Sequence, residues 1–313
     1  MALLALFNSC DDGNLTQEDI SFADVKTTQS CTNGIIYKLK DQEALILEVD
    51  KTNFPTDLTA TNDTIILNIG TTANRVVYRF YNGTVTSDNI CETIAPATPV
   101  ITDQWTATDG KIQIVTTAII DRNETTNATK ITGYNHNIVL KNVTFAKTIG
   151  TQVYETFPFG NYTTTITPLD FKFDQTLEKC TSSNEIYNHN AGEALILNID
   201  PNLILNEVTP LDTPRTGLIG TTSNTFTYRS FTGGVLTGDY FCQSPVPDTP
   251  VLNQEWNGVA GESGVSGIIE VTTTTSGSSF KHTIVLKKVS LQKGISKFNL
   301  GDSYTLGELF TIP

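Results

Sequence analysis

Hydrophobic and polar positions of this chain alternate over short stretches, with the two-residue period of β-strands. Residues 76–81 alternate in this way, whereas residues 44–47 and 138–140 are continuously apolar, as strands covered on both faces are. No 3.6-residue period persists for three helical turns. The pattern therefore predicts an all-β protein, and the abundance of Thr, Val, Ile, Asn and Gly suits half-buried strands and tight turns.

Two dipeptides predict where the chain reverses. Asn82-Gly83 follows the alternating residues 76–81 and favours a type I′ hairpin turn, because both central residues need φ > 0. Asp109-Gly110 lies in the middle of residues 105–114 and predicts a second hairpin there.

The chain repeats itself about 150 residues apart. Residues 43–50, EALILEVD, return as EALILNID at 193–200, and residues 69–74 return at 219–224. A repeat of this length is a whole domain and not a solenoid unit. We therefore expect two tandem homologous β-sandwich domains, residues 23–158 and 159–313, each with seven to ten short strands.

The chain has five cysteines. Four of them form two pairs with nearly equal sequence separation, Cys31 with Cys91 and Cys180 with Cys242, and Cys10 has no partner. We expect one internal disulfide in each domain, Cys31–Cys91 and Cys180–Cys242, and one leftover thiol. Each bond would stabilise its domain by about 4 kcal/mol in the chain-entropy model. The alternative is four reduced, buried thiols in a cytosolic protein. Zinc is disfavoured, because no CxxC or Cys/His cluster occurs.

Charge and hydropathy narrow the choice of partner. A formal net charge of −13 with no Lys/Arg stripe argues against a nucleic acid partner. No run of 18 apolar residues is present, so a membrane would hold this chain by attachment and not by a spanning helix.

The unpaired Cys10 lies in a distinctive setting. Residues 2–7 are apolar, residues 8–9 are small, and residues 11–13 are Asp-Asp-Gly. This stretch resembles the lipoprotein cleavage box of Bacteroidota (flavobacterial-type) surface lipoproteins, in which Cys followed by acidic residues accompanies export. The resemblance implies a signal remnant at 1–10 ending at an acylated Cys10, an acidic tether at 11–22, and an outer-membrane protein facing the cell exterior. The alternative is a disordered apolar N-terminus with an idle thiol.

Residue types that carry catalysis are scattered. Glu43 and Asp50, repeated at 193 and 200, lie about 23 Å apart on one strand and cannot act as a glycosidase pair. His136 and its repeat His282 each precede an apolar strand with no partner at ligand spacing, which favours a structural role. No known catalytic, phosphate-binding or metal-binding motif occurs. We expect no catalytic residue, no metal, no cofactor and no enzymatic activity.

Two other features are candidates for binding and modification. Trp105 and its repeat Trp256 could stack on sugars, but each follows an apolar residue four positions earlier, Ile101 or Leu252, which favours core packing. The triplet at 63–65, Asp-Thr-Ile, resembles the short O-glycosylation motif of the same phylum and makes Thr64 a candidate site.

These features predict a non-catalytic cell-surface lipoprotein that serves as a binding or accessory subunit of an outer-membrane transport or secretion assembly. The alternative is a glycan-binding module that holds polysaccharide through Trp105 and Trp256. An enzyme would need carboxylates that converge from distant strands.

Overall fold

A computed structural model describes residues 19–61, 63–169, 171–181 and 184–313. The protein is all-β and contains two disulfides, Cys31–Cys91 and Cys180–Cys242. Cys10, the predicted signal remnant 1–10 and most of the predicted tether 11–22 lie outside the described residues. Within the described part, no helix has the length and apolarity that a bilayer crossing requires.

Strands of the first half include three that are much longer than expected for a sandwich of short strands. The first-half strands are β1 Gln29–Ser30, β2 Ile35–Lys40, β3 Glu43–Glu48, β4 Ile65–Asn68, β5 Arg75–Tyr81, β6 Ile101–Arg122, β7 Thr129–Ala146 and β8 Thr151–Thr165. Strands β6, β7 and β8 contain 22, 18 and 15 residues. The prediction of short strands is therefore wrong for these three strands, whereas β1 to β5 have two to seven residues.

Strands of the second half are shorter. They are β9 Glu178–Lys179, β10 Glu185–His189, β11 Glu193–Asn198, β12 Arg215–Leu218, β13 Thr225–Thr232, β14 Val251–Gly258, β15 Ile268–Ser276, β16 Ser279–Lys287, β17 Ser290–Lys293, β18 Ser296–Asn299 and β19 Tyr304–Thr311. Helical segments are brief: α1 is Asp88–Cys91, and 3₁₀ turns cover Lys51–Asn53, Pro201–Ile204 and Gly238–Cys242.

The strand pairings whose register the structure gives are antiparallel. One sheet has the order β1-β2-β3-β5-β6-β7-β8, with β4 also paired to β6. A seven-stranded sheet has the order β18-β17-β14-β13-β11-β10-β9, and a four-stranded sheet has the order β12-β15-β16-β19.

The chain divides into two compact units, and each draws on more than one stretch of sequence. In the described part of the chain, unit 1 contains residues 19–53, 65–114 and 137–162. Unit 2 contains residues 54–64, 115–136 and 163–313, again where they are described. These units follow packing, whereas the predicted domains 23–158 and 159–313 follow the duplication. Those boundaries therefore remain a prediction.

The repeated sequences adopt the same strand pairing in both units. In unit 1, Leu45 of β3 lies opposite Tyr78 of β5, and Tyr78 lies opposite Trp105 of β6. In unit 2, β11, β13 and β14 pair in the same register, with Leu195 opposite Tyr228 and Tyr228 opposite Trp256. Residues that correspond in the sequence repeat therefore have corresponding cross-strand partners in the two sheets.

Strand β11 is buried on both faces, as its continuous apolar run predicts. Leu195 and Leu197 belong to the main core of unit 2. Ala194 and Ile196, on the opposite face, pack in a second cluster that includes Cys180. In unit 1 the corresponding residues of β3, Ala44 and Ile46, pack in a cluster that includes Cys31.

Both predicted hairpin turns are wrong. Asn82-Gly83 ends β5, but the next strand begins only at Ile101, after a segment that contains α1. Asp109-Gly110 lies inside the continuous strand β6. At Gly110, which has φ +125°, an added Cβ would come within 2.8 Å of Val143 Cα, so this glycine serves a close approach of β6 to β7.

Disulfide formation can be tested by thiol titration of the unfolded, unreduced chain. Because four cysteines are bonded, we expect one reactive thiol, that of Cys10, in a sample that is not lipidated. A Cys10→Ser variant should show none, and reduction should then reveal four thiols. Four thiols before reduction in the Cys10→Ser variant would contradict the structure.

Candidate functional site

Both tryptophans are buried, so neither presents an exposed platform for a sugar ring. Trp105 is 1% exposed and Trp256 is 4% exposed. The glycan-binding alternative thereby loses the stacking surface on which it depended. The sequence argument for core packing placed Ile101 on the same strand face as Trp105, and that placement is wrong. The register shifts between Phe80 and Tyr81 of β5, so Thr102 has no partner there and the alternation of faces between Ile101 and Trp105 is broken. Ile101 is accordingly 46% exposed.

Trp256 lines a cavity of about 240 Å³ within unit 2, which we call the Trp256 cavity. Four aromatic residues form its walls: Tyr134, Phe171, Trp256 and Phe298. Aliphatic side chains complete the apolar lining, and these are Ile131, Ile166 and Leu169. Apolar and aromatic walls with few polar groups are typical of small-molecule sites in proteins.

The aromatic walls are held by ring contacts among themselves. The ring centroids of Trp256 and Phe298 lie 5.0 Å apart, edge to face, and those of Phe171 and Phe298 lie 5.6 Å apart. Phe171 also packs on Tyr228 at 4.9 Å. Its backbone has φ +50°, which is rare for a bulky residue and carries a conformational cost. The packing of its ring offsets this cost and fixes one wall of the cavity.

The polar part of the cavity is cationic. Lys130 and Lys293 are the charged residues of the lining, and Gln254, Thr56 and Thr167 are its neutral polar residues. The Lys293 ammonium lies 5.1 Å from the centroid of the Trp256 ring, a cation–π contact. Gln254 Oε1 accepts hydrogen bonds from Trp256 Nε1 at 3.2 Å and from Lys293 Nζ at 3.5 Å. Gln254 therefore holds both the indole and the amine in place.

Tyr134 reaches the cavity from β7 and is 1% exposed. Burial raises the pKa of its phenol, a hydrogen bond with Ser296 acts in the opposite direction, and the Asp57 carboxylate raises it further. The Ser296 hydroxyl in turn donates to Asp57, which also accepts the backbone N–H of Leu58 at 2.8 Å. The neutral phenol is thus part of a fixed polar network behind the wall.

Unit 1 contains a counterpart for several residues of the Trp256 cavity. The pairs, with the unit 2 residue first, are Leu169 and Ile20, Phe171 and Phe22, Gln254 and Asp103, Trp256 and Trp105, Lys293 and Lys147, and Phe298 and Phe157. Trp105 Nε1 donates to Asp103 Oδ2 at 2.8 Å, and the Lys147 ammonium lies 4.3 Å from the Trp105 ring centroid. The sequence offered no signal for the cavity beyond the repeated tryptophans, because its walls come from distant segments.

The two repeated histidines are buried in hydrogen-bonded pairs with threonines. His136 is fully buried, and its Nδ1 and Nε2 lie 2.9 and 3.0 Å from the hydroxyls of Thr116 and Thr164. His282 has the same environment, with Thr273 at 2.8 Å and Thr311 at 2.9 Å. Burial lowers the pKa of His136 to about 4. These neutral rings are enclosed by the sheet, as the structural interpretation had them.

The remaining predicted site residues lie apart from the cavity. Glu43 accepts a hydrogen bond from Tyr78 at 3.0 Å, and Glu193 accepts one from Tyr228 at 2.7 Å. Thr64 is partly exposed, and its N–H donates to the Asp63 carboxylate at 2.8 Å. Among the described residues, no group of three or more His, Cys, Asp or Glu side chains could hold a metal ion.

Comparisons with known proteins return no similar protein: no family model, no curated protein and no solved structure matches this chain.

The buried His136 predicts a pH-dependent stability. The pKa of His136 falls from 6.5 in the unfolded chain to about 4 in the folded protein, so the unfolded chain binds the proton first. Stability from this residue is complete above pH 6.5 and falls between pH 6.5 and 4, by up to about 3 kcal/mol.

Urea unfolding at pH 7 and pH 5 checks this prediction in the wild type and in His136→Gln. Glutamine can hydrogen bond both threonines but does not titrate, so the variant should lose less stability between the two pH values. An equal loss in both proteins would show that His136 does not carry the effect.

Proposed function

We propose that this chain is an exported, non-catalytic binding protein, attached to the outer membrane through an acylated Cys10 and facing the cell exterior. In this proposal it serves as an accessory subunit of an outer-membrane transport or secretion assembly. Its two tandem homologous β-sandwich domains, each with one disulfide, carry the binding surfaces.

The observation that carries the binding function is the Trp256 cavity. Its lining combines aromatic and aliphatic residues with two lysines, a glutamine and two threonines, a combination suited to holding and orienting a small ligand. The walls are fixed by ring packing and by the contacts of Gln254, so the ligand meets a preformed site. Preformed sites bind with a smaller ordering cost.

Two observations support export. Disulfides persist in oxidising compartments, and this chain has two, with Cα–Cα distances of 5.3 and 5.4 Å that suit the bond. The sequence at 2–13 resembles the cleavage box of Bacteroidota surface lipoproteins, and Cys10 is the one cysteine without a counterpart in the repeat. Several acyl chains on this residue would give durable attachment.

Lipid attachment can be tested by expressing the full chain in a Gram-negative host with an alkyne-labelled fatty acid. We expect the wild type to take up the label and to sediment with membranes. Cys10→Ser should lose the label and move to the soluble fraction. Ser9→Ala, which keeps a small residue beside the cysteine, is the matched control and should behave as the wild type. An unlabelled wild type, or a Cys10→Ser variant that stays in the membrane fraction, would overturn the anchor.

The accessory role has a separate test. The protein is purified from outer membranes that have been solubilised with a series of mild detergents, and Cys10→Ser serves as the control for association after lysis. We expect an outer-membrane protein to co-purify in a fixed ratio with the wild type and not with Cys10→Ser. Recovery of the lipoprotein without a partner in every detergent would count against the role.

A further inference from the structure

The Trp256 cavity lies where unit 1 holds an aromatic side chain of its own. In unit 1, the Tyr154 ring lies 5.3 Å from the Phe157 ring, and the Tyr154 hydroxyl accepts the backbone N–H of Ile20 at 2.7 Å. The counterparts of these two neighbours are Phe298 and Leu169. Both line the Trp256 cavity.

The segment of unit 2 that corresponds to the one carrying Tyr154 is shorter and contains no aromatic residue. Nine residues separate Lys147 from Phe157, and Tyr154 is among them. Only four residues, Gly-Ile-Ser-Lys, separate the counterparts Lys293 and Phe298. The shorter segment supplies no ring, and the counterparts of two neighbours of Tyr154, Leu169 and Phe298, line the cavity.

The charged groups around Trp256 in unit 2 differ from those around Trp105 in unit 1. In unit 1, the Asp103 carboxylate accepts the Trp105 indole N–H, and the Lys147 ammonium contacts the same indole ring. In unit 2 the counterpart of Asp103 is the neutral Gln254, so the charge of Lys293 is not matched by a carboxylate at that position. Lys130 is a second lysine among the lining residues, which include no Asp or Glu from the described part of the chain. The Asp57 carboxylate behind the wall already accepts hydrogen bonds from Ser296 and Leu58. The lining residues therefore favour an anionic group on the ligand.

From these observations we infer that the Trp256 cavity binds a small phenol-like aromatic carboxylate. The ring takes the place that Tyr154 fills in unit 1, and Lys293 and Lys130 contact the carboxylate. A dry cavity of about 150 Å³ holds one benzene molecule. The volume of about 240 Å³ therefore suits one ring with a short charged substituent. This inference rests on the proposed binding function and specifies its ligand.

Isothermal titration with 4-hydroxyphenylacetate tests the inference on the full chain, with 4-methylphenol as the uncharged probe. We expect 4-hydroxyphenylacetate to bind with a Kd below about 1 mM, which a ligand of this size can reach, and to bind more tightly than 4-methylphenol. Lys293→Gln should weaken binding of 4-hydroxyphenylacetate about tenfold and change that of 4-methylphenol by less than twofold.

Two further variants locate the ligand. Lys147→Gln removes the corresponding lysine beside Trp105 and is the matched control, so it should bind as the wild type does. Ile166→Trp places a large ring in the cavity and should abolish binding of both probes. Thermal melting of each variant checks that the fold is intact.

The outcomes separate the ligand class from the binding function. The two probes could bind with equal affinity, and Ile166→Trp could abolish the binding of both. That result would overturn the preference for an anionic ligand and leave the cavity as a binding site. Failure of both probes to bind, in a chain that is still lipidated and still recovers its partner, would overturn the inference and leave the surface role standing. Failure of those assays as well would overturn the proposed function itself.

Discussion

Two of the three sheets depend on a disulfide that helps to cover their second face. Each disulfide ties the residue that directly follows β1 or β9 to a short helical segment far along the chain, at α1 or at the 3₁₀ turn Gly238–Cys242. Alternate residues of β3 and β11 then pack against the cysteine cluster, while their neighbours face the opposite side. Without the bond, the segments that shield these residues would have few strand hydrogen bonds to hold them. The strands could not then be apolar on both faces.

Features that depend on local pattern or on repetition could be predicted from the sequence. The all-β class follows from the two-residue period, and the disulfide pairs follow from the equal spacing of four cysteines. Both are confirmed. These properties either depend on a few neighbouring residues or occur in both copies of the repeat.

Features that depend on long-range packing could not be predicted. Asp109-Gly110 has the composition of a turn, but the glycine is needed because β6 and β7 approach closely there. The bulge before Trp105 breaks the alternation that placed Ile101 on the same face. The Trp256 cavity could not be predicted for the same reason, because Tyr134, Phe171 and Phe298 converge from separate segments of the chain.

Unit 2 contains residues from both copies of the repeat. Residues 115–136 belong to the first copy of the repeat, but Ile131 and Tyr134 pack in the main core of unit 2. Asn127 and Thr129 also hydrogen bond to Asp302 and Asn299, in the second copy. The core of unit 2 therefore depends on residues from both copies of the repeat, and removal of either copy would expose apolar surface in what is left. The boundary of the repeat is consequently not a place where the chain could be cut into two independent proteins.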